Sequence, residues 1–271
     1  MAHCKVSIII PTYRPQEYLW ECLDAVKNQT FPADDCEVIL VLNGCDEPYK
    51  SSITKHLQDN FHDRNTVFLH TEKSGVSNAR NMALDIAQGE YIAFIDDDDY
   101  ISPSYIQELY DKANNKTVSL CYPLSFIDGT DDYQPYYITQ DFNKYHNQVD
   151  CRYTQAKKYF AGPVYKLIHR DIIGNRRFDV RFKNGEDSIF MFLISDRMDR
   201  VAFTSTSAVY YRRIREGSAV LKQKNIWYVF SNVVKRIMAY TGIYIKHPFA
   251  YSFTFYLTRV LGTLHGAMKQ L

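Results

Sequence analysis

The sequence predicts an α/β fold: a doubly wound, mostly parallel sheet flanked by helices, with a C-terminal helical appendage. Three observations carry this. Over the first hundred residues, short Val- and Ile-rich runs alternate with segments whose apolar residues recur at helical spacing, and Gly, Asn and Pro punctuate the junctions. After Glu216 the chain turns aromatic and basic and has no acidic residue. Strand and helix patterns in strict alternation imply crossover connections and hence parallel strands.

Residues 6–10 form a continuous apolar run closed by Pro11, and Tyr18, Leu19, Cys22, Leu23 and Val26 then recur at helical spacing. Residues 37–42 are a second strand, closed by Asn43-Gly44, and a polar helix covers 48–60. Residues 67–70 are a third strand, and Val76, Ala79, Met82, Ala83 and Ile86 mark a third helix, which Gly89 ends. Residues 91–95 are a fourth strand, and Pro103 suits a helix N1 position. Residues 121–165, rich in Tyr, Asp and Pro, show weak periodicity and are expected to be irregular. Asn184-Gly185-Glu186-Asp187-Ser188 reads as a helix start before an apolar stretch, where capping would explain both carboxylates.

The 271 residues suffice for one large domain, or a domain with an appendage. Six scattered cysteines form no C-x-x-C pair, which argues against a zinc site or a disulfide framework. The N-terminus has no apolar h-region, so no signal peptide is expected, and a cytoplasmic location follows. A net charge of +1 hides an asymmetry: residues 217–271 carry seven cations, leaving −6 on residues 1–216.

Chemistry concentrates where the fourth strand runs into Asp96, Asp97, Asp98 and Asp99. Four adjacent carboxylates repel unless they are solvated or a hard cation sits among them, and Mg²⁺ or Mn²⁺ suits such a set. In doubly wound sheets ligands bind beyond the carboxyl ends of the strands, which here brings together Pro11-Thr12-Tyr13, Asn43-Gly44 and the aspartates as a nucleotide pocket. No G-x-G-x-x-G follows the first strand and no Walker lysine loop occurs, which argues against a dinucleotide dehydrogenase and a P-loop NTPase.

In order and spacing, residues 6–13, 74–81, 89–99 and 185–187 together resemble glycosyltransferase family 2, the inverting nucleotide-sugar transferases of GT-A fold, over roughly residues 5 to 218. The resemblance implies that Pro11, Thr12 and Tyr13 line base and ribose, that Arg80 approaches the nucleotide, and that Asn78 shapes that wall. Arg80 would otherwise be a surface helix charge. Asn43 stands where the family usually has an acidic residue contacting the base, so a charge is missing there. The family's D-x-D motif falls on Asp96, Asp97 and Asp98: Asp98 is the expected metal ligand, Asp96 and Asp97 point toward ribose and base with Asp96 a further candidate ligand, and Asp99 supports them. Mn²⁺ or Mg²⁺ would neutralise the donor diphosphate. Asp187 matches the catalytic base, Glu186 would orient its loop, and Arg213 or Arg215 would contact the diphosphate.

The implied division is a catalytic domain over 1–216, with a nucleotide-binding half (1–100) and an acceptor half (101–216), then a basic aromatic tail over 217–271. The implied function is transfer of a sugar from a nucleoside diphosphate sugar, UDP by expectation, to a glycan or lipid-linked acceptor in bacterial surface polysaccharide synthesis. A nucleotidyltransferase would need a glycine-rich loop where Pro11-Thr12-Tyr13-Arg14-Pro15 stands. A non-catalytic nucleotide-sugar or nucleic-acid binding module is the remaining alternative. The negative body disfavours nucleic acid. Charges interrupt every apolar run of the tail, so it is expected not to span a bilayer but to lie on an anionic membrane, pack on the catalytic domain, or pair in a homodimer.

Overall fold

A computed structural model describes residues 4–215 and 226–268. The segment Glu216-Gly217-Ser218 and the tail cations Lys222, Lys224 and Lys269 lie outside the described residues. The first half runs β1 (Val6–Thr12), α1 (Tyr18–Lys27), β2 (Cys36–Asn43), α2 (Tyr49–Asn60), β3 (Asn65–Thr71), α3 (Val76–Ile86), β4 (Tyr91–Phe94), β5 (Tyr100–Ile101) and α4 (Tyr105–Lys112). The second continues with β6 (Thr117–Leu120), β7 (Tyr122–Ile127), β8 (Tyr133–Pro135), α5 (Thr139–Tyr145), β9 (Cys151–Arg152), β10 (Lys166–His169), α6 (Arg170–Ile173), α7 (Glu186–Leu193), β11 (Arg200–Phe203) and β12 (Val209–Ile214). Two helices, α8 (Ile226–Lys246) and α9 (Phe253–Met268), follow.

An eight-stranded sheet has the order β3-β2-β1-β4-β10-β6-β11-β9. Strands β3, β2, β1 and β4 are parallel, and β10 enters antiparallel to β4 and β6. Every residue of β1 and all but the first of β2 are buried, because helices cover both faces, and this is why their sequences read as unbroken apolar runs. The order reverses between β1 and β4, which opens a crevice at their carboxyl ends.

Several local expectations are corrected. The first strand continues through Pro11 to Thr12. Ile95 donates to the carbonyl of Ile9, so the missing Pro11 N–H faces the same side, past the end of β4, and removes no ladder bond. The third helix ends at Ile86, before Gly89. A Cβ on Gly89 would sit 2.4 Å from the Ser7 nitrogen, so this glycine permits close backbone approach. Pro103 precedes the Ser104 N-cap of α4 and so stands two positions before N1. Residues 121–165 are not irregular: β7 and β8 join β5 and β12 in a second sheet of order β5-β12-β7-β8. Glu186 and Asp187 are not caps, because Gly185 occupies the N-cap in the left-handed region (φ 83°) and both carboxylates begin the helix itself.

The C-terminal helices pack on α7. Phe192 meets Tyr240, Tyr251 and Phe255, and the Tyr240 hydroxyl donates to Ser188 at 2.8 Å. Arg259 donates to the carbonyls of Phe160 and Lys157. Among the described residues no helix is long and apolar enough to cross a membrane.

Candidate functional site

At the carboxyl ends of β1, β2 and β4 lies a cleft of about 500 Å³, lined by Pro11, Thr12 and Tyr13, by Asn43, by the Ser74–Val76 turn, and by Asp96, Asp97 and Asp98, with Tyr18 and Arg215 closing one side. The three sequence segments expected to converge do so, because parallel strands end on the same edge.

Each of the four aspartates has its own partner, so the run is divided rather than a uniform acidic patch. Asp96 accepts from the Arg80 Nη2 at 2.8 Å. Asp97 accepts from the Thr12 hydroxyl at 2.5 Å, and burial, with Asp98 and Asp96 adding, pushes its pKa up to about 7 against the pull of that hydrogen bond. Asp98 accepts from the Nε and Nη2 of Arg215 at 3.0 and 2.6 Å. Asp99 turns away from the cleft; it accepts from the Arg213 backbone N–H at 2.8 Å, and burial drives its pKa well above the ordinary range.

Arg80, on α3, is buried, which removes the alternative of a surface charge. Its guanidinium spans two carboxylates from distant parts of the chain: Nη1 donates to Asp187 at 2.6 Å while Nη2 holds Asp96. Phe178 underlies it at 5.4 Å. Asp187 keeps a 31% exposed side chain, so the carboxylate is both fixed and reachable. Glu186 is buried with an unpartnered Oε2, and burial followed by the Asp187 charge raises its pKa to about 7. Its expected orienting role has no hydrogen bond behind it at that oxygen.

Arg213 and Arg215 part company. Arg215 lines the cleft with its guanidinium 4.3 Å over the Tyr18 ring. Arg213, within β12, is buried and bound to Glu21, to Asp128 at 2.6 Å and to the Asp98 carbonyl at 2.8 Å. Adjacent strand positions alternate faces, so the pair Arg213 and Arg215, two apart, are separated by the strand end rather than by the pleat. Asn43 donates to the Thr12 carbonyl at 2.7 Å and accepts from the Gly75 N–H at 2.9 Å, so both ends of its amide are used to join the cleft walls. Asn78 bonds Lys73 and Met82 and does not line the cleft.

Two residues escaped sequence reasoning. Lys166 is fully buried, and its ammonium donates to the carbonyls of Tyr159, Gly162 and Val164 at 2.8, 2.6 and 2.6 Å. Burial lowers its pKa to about 7, while three carbonyl acceptors match the three donors of the charged form. It thereby fixes the loop that passes Asp187, where a Cβ on Gly162 would lie 3.8 Å from the Asp187 Oδ2. Its signal was a lysine inside the apolar run 164–168. Tyr210, whose hydroxyl accepts from the Asp96 N–H at 3.1 Å, left no signal because its partner lies 114 positions away.

Among the described residues no three His, Cys, Asp or Glu side chains converge as a metal cage. Carboxylates in this setting suit a hard cation that takes most of its ligands from substrate and water, and among the described residues Arg215 bonds the Oδ2 of Asp98.

Comparison with known proteins bears on the family and the fold. Residues 7–176 match the model of Glycosyl transferase family 2. The chain is 29% identical over 244 residues to the poly(ribitol-phosphate) beta-glucosyltransferase of Bacillus spizizenii, which covers 87% of this chain and 37% of that protein. It spans 24% and 31% of the length of two further curated relatives. Its fold is that of Staphylococcus aureus TarS 1-349 in complex with UDP-GlcNAc, with a TM-score of 0.71 and 20% identity over 98% of this chain and 73% of that one. The mannosyltransferase PcManGT of Pyrobaculum calidifontis, solved with GDP-Man and Mn²⁺, has a TM-score of 0.59 at 17% identity, with 98% and 73% covered.

Proposed function

The chain belongs to glycosyl transferase family 2, and we propose that it transfers a hexose or N-acetylhexosamine from a UDP-sugar to a hydroxyl of a bacterial surface glycan or its lipid-linked precursor, with inversion at the anomeric carbon. The observation that carries this is the buried Arg80 bridge, which ties Asp187 to Asp96 on the wall of the cleft.

In this reading Thr12 and Asp97 receive base and ribose, and the 47% exposed Tyr13 ring offers a stacking face. Arg215 turns from Asp98 to the diphosphate, where a guanidinium matches phosphate geometry. Asp98, with Asp96 beside it, would hold Mn²⁺ or Mg²⁺, which when bound neutralises diphosphate charge. Asp187 accepts the proton of the acceptor hydroxyl as its oxygen attacks the anomeric carbon; the bond to the UDP oxygen breaks on the opposite face, and configuration inverts. The Arg80 guanidinium stops Asp187 swinging out of line. The acceptor class rests on the poly(ribitol-phosphate) transferase relative, and peripheral binding to an anionic membrane would bring the site to a lipid-linked acceptor.

Asp187→Asn tests the central assignment. We expect UDP-sugar affinity to stay within about twofold while turnover falls by at least ~10²-fold, as for loss of a general base. Near-normal turnover would remove Asp187 from the mechanism.

A further inference from the structure

We propose that a second cleft, between α7 and the C-terminal half of α8, seats the phosphate-bearing headgroup of an anionic membrane lipid. This deepens the membrane-surface reading above and rests on it. The cleft encloses about 670 Å³ and is separate from the nucleotide cleft. Its floor is apolar, built from Ile189, Phe190 and Leu193 on the flank of the helix whose first turn bears Asp187.

Its rim is cationic. Arg176, Arg177, Arg181 and Lys246 line it against one carboxylate, Asp179. Arg176 and Arg177 are anchored to Asp196 and Asp85, and Arg181 folds onto Asp179 with its side chain still 82% exposed. Lys246 has no ion-pair partner among the described residues, and neither α8 nor α9 contains a carboxylate that could supply one. This excess of positive charge complements an anionic headgroup.

Beside Lys246 the surface becomes strongly apolar. Ile245 is 67% exposed, Phe249 fully so and Phe253 54%, all at the corner between α8 and α9, while Met238, 67% exposed, carries the same character to the cleft edge. An acidic soluble partner would satisfy the cations but leave this corner in water. A lipid surface satisfies both, with the headgroup phosphate at Lys246 and Arg181 and the aromatic corner in the acyl boundary. The shared helix α7 then relates the membrane plane to Asp187.

The test uses the full chain with vesicles of phosphatidylcholine alone or mixed with phosphatidylglycerol, at low salt, read by sedimentation. We expect binding only with phosphatidylglycerol, weakened about fivefold by Lys246→Gln and more by Lys246→Glu combined with Arg181→Glu. Phe249→Ser should also weaken it. Unchanged thermal melting and unchanged sugar transfer to a soluble acceptor control for folding. Vesicle binding that ignores all these substitutions would overturn the site while leaving membrane association standing. No binding to either vesicle would overturn both, and a concentration-dependent dimer abolished by Phe249→Ser would assign the corner to a second copy instead; neither result would touch the sugar-transfer reading.

Discussion

Replacing Arg80 separates its electrostatic duty from its packing. In Arg80→Met the apolar stem over Phe178 is retained, but Asp187 and Asp96 lose the guanidinium held at 2.6 and 2.8 Å. At about 4 Å between charge centres and an effective dielectric constant of ~20, each attraction is worth roughly 4 kcal/mol before desolvation is counted. Removing one partner of a buried ion pair costs about 3–5 kcal/mol, but here the carboxylate side chains are 39% and 31% exposed and water can take over part of the role. A loss of about 2 kcal/mol in stability follows, equivalent to a fall of roughly 4–8 °C in Tm. The catalytic signature is different. Burial raises the pKa of Asp96 and Arg80 holds it down, so without the cation Asp96 gives up its proton less readily, the acidic limb of the kcat/KM profile should move to higher pH, and activity should recover partly on raising the pH. Arg80→Lys should shift the limb less but still lower kcat by at least ~10-fold, because one ammonium cannot present the fork that reaches both carboxylates. A melting curve and a pH profile with UDP release as readout give both numbers. If Arg80→Met lowers Tm but leaves kcat and the acidic limb unchanged, Arg80 is a structural tie and its coupling to the base is refuted.

Arg213 in β12 and Arg215 just past its end should behave oppositely. Arg215→Met should weaken UDP-sugar binding by about 10-fold or more, measured by titration calorimetry, with little change in Tm. Arg213→Met should leave Glu21, Asp128 and the Asp98 carbonyl without their donor, lowering stability by about 2–4 kcal/mol in denaturant melts. Glu186 gives a pH prediction. With its pKa near 7 in the fold against 4.5 normally, the native state holds a proton that the unfolded chain has released, so stability falls as pH rises from about 4.5 to about 7. Glu186→Gln removes this, and at pH 8 should be more stable than the parent by about 2–3 kcal/mol, whereas at pH 4 the two should nearly coincide. Parallel stability curves across that range would show that Glu186 does not carry the proton.

The first hundred residues were legible because their physics is written locally. Strands covered on both faces must be apolar throughout, and β1, β2 and β4 say so residue by residue. The second sheet was not legible for the opposite reason: β8 is exposed at every position and β7 mixes buried and exposed residues around Pro123, so neither a continuous run nor clean alternation survives. The aspartate run stands out by residue type, yet the separate surroundings of its four carboxylates depend on Thr12, Arg80, Arg213 and Arg215, which lie as far as 117 positions away. Separation of that kind leaves no periodicity to read.

Asn43 shows how a departure from a family pattern becomes intelligible only with its neighbours in place. The position must give a hydrogen to the Thr12 carbonyl and accept one from the Gly75 N–H. An amide does both; an ionised carboxylate can only accept, and would face the Thr12 oxygen with no proton to offer. The buried side chain thus joins the ends of β1 and β2 to the start of α3, the helix that carries Arg80. Where the family resemblance implies a charge, this chain has a neutral clasp between the segments that carry Thr12 and Arg80. In the proposed reading, base selection would then fall to Asp97, Thr12 and the exposed Tyr13 ring rather than to position 43.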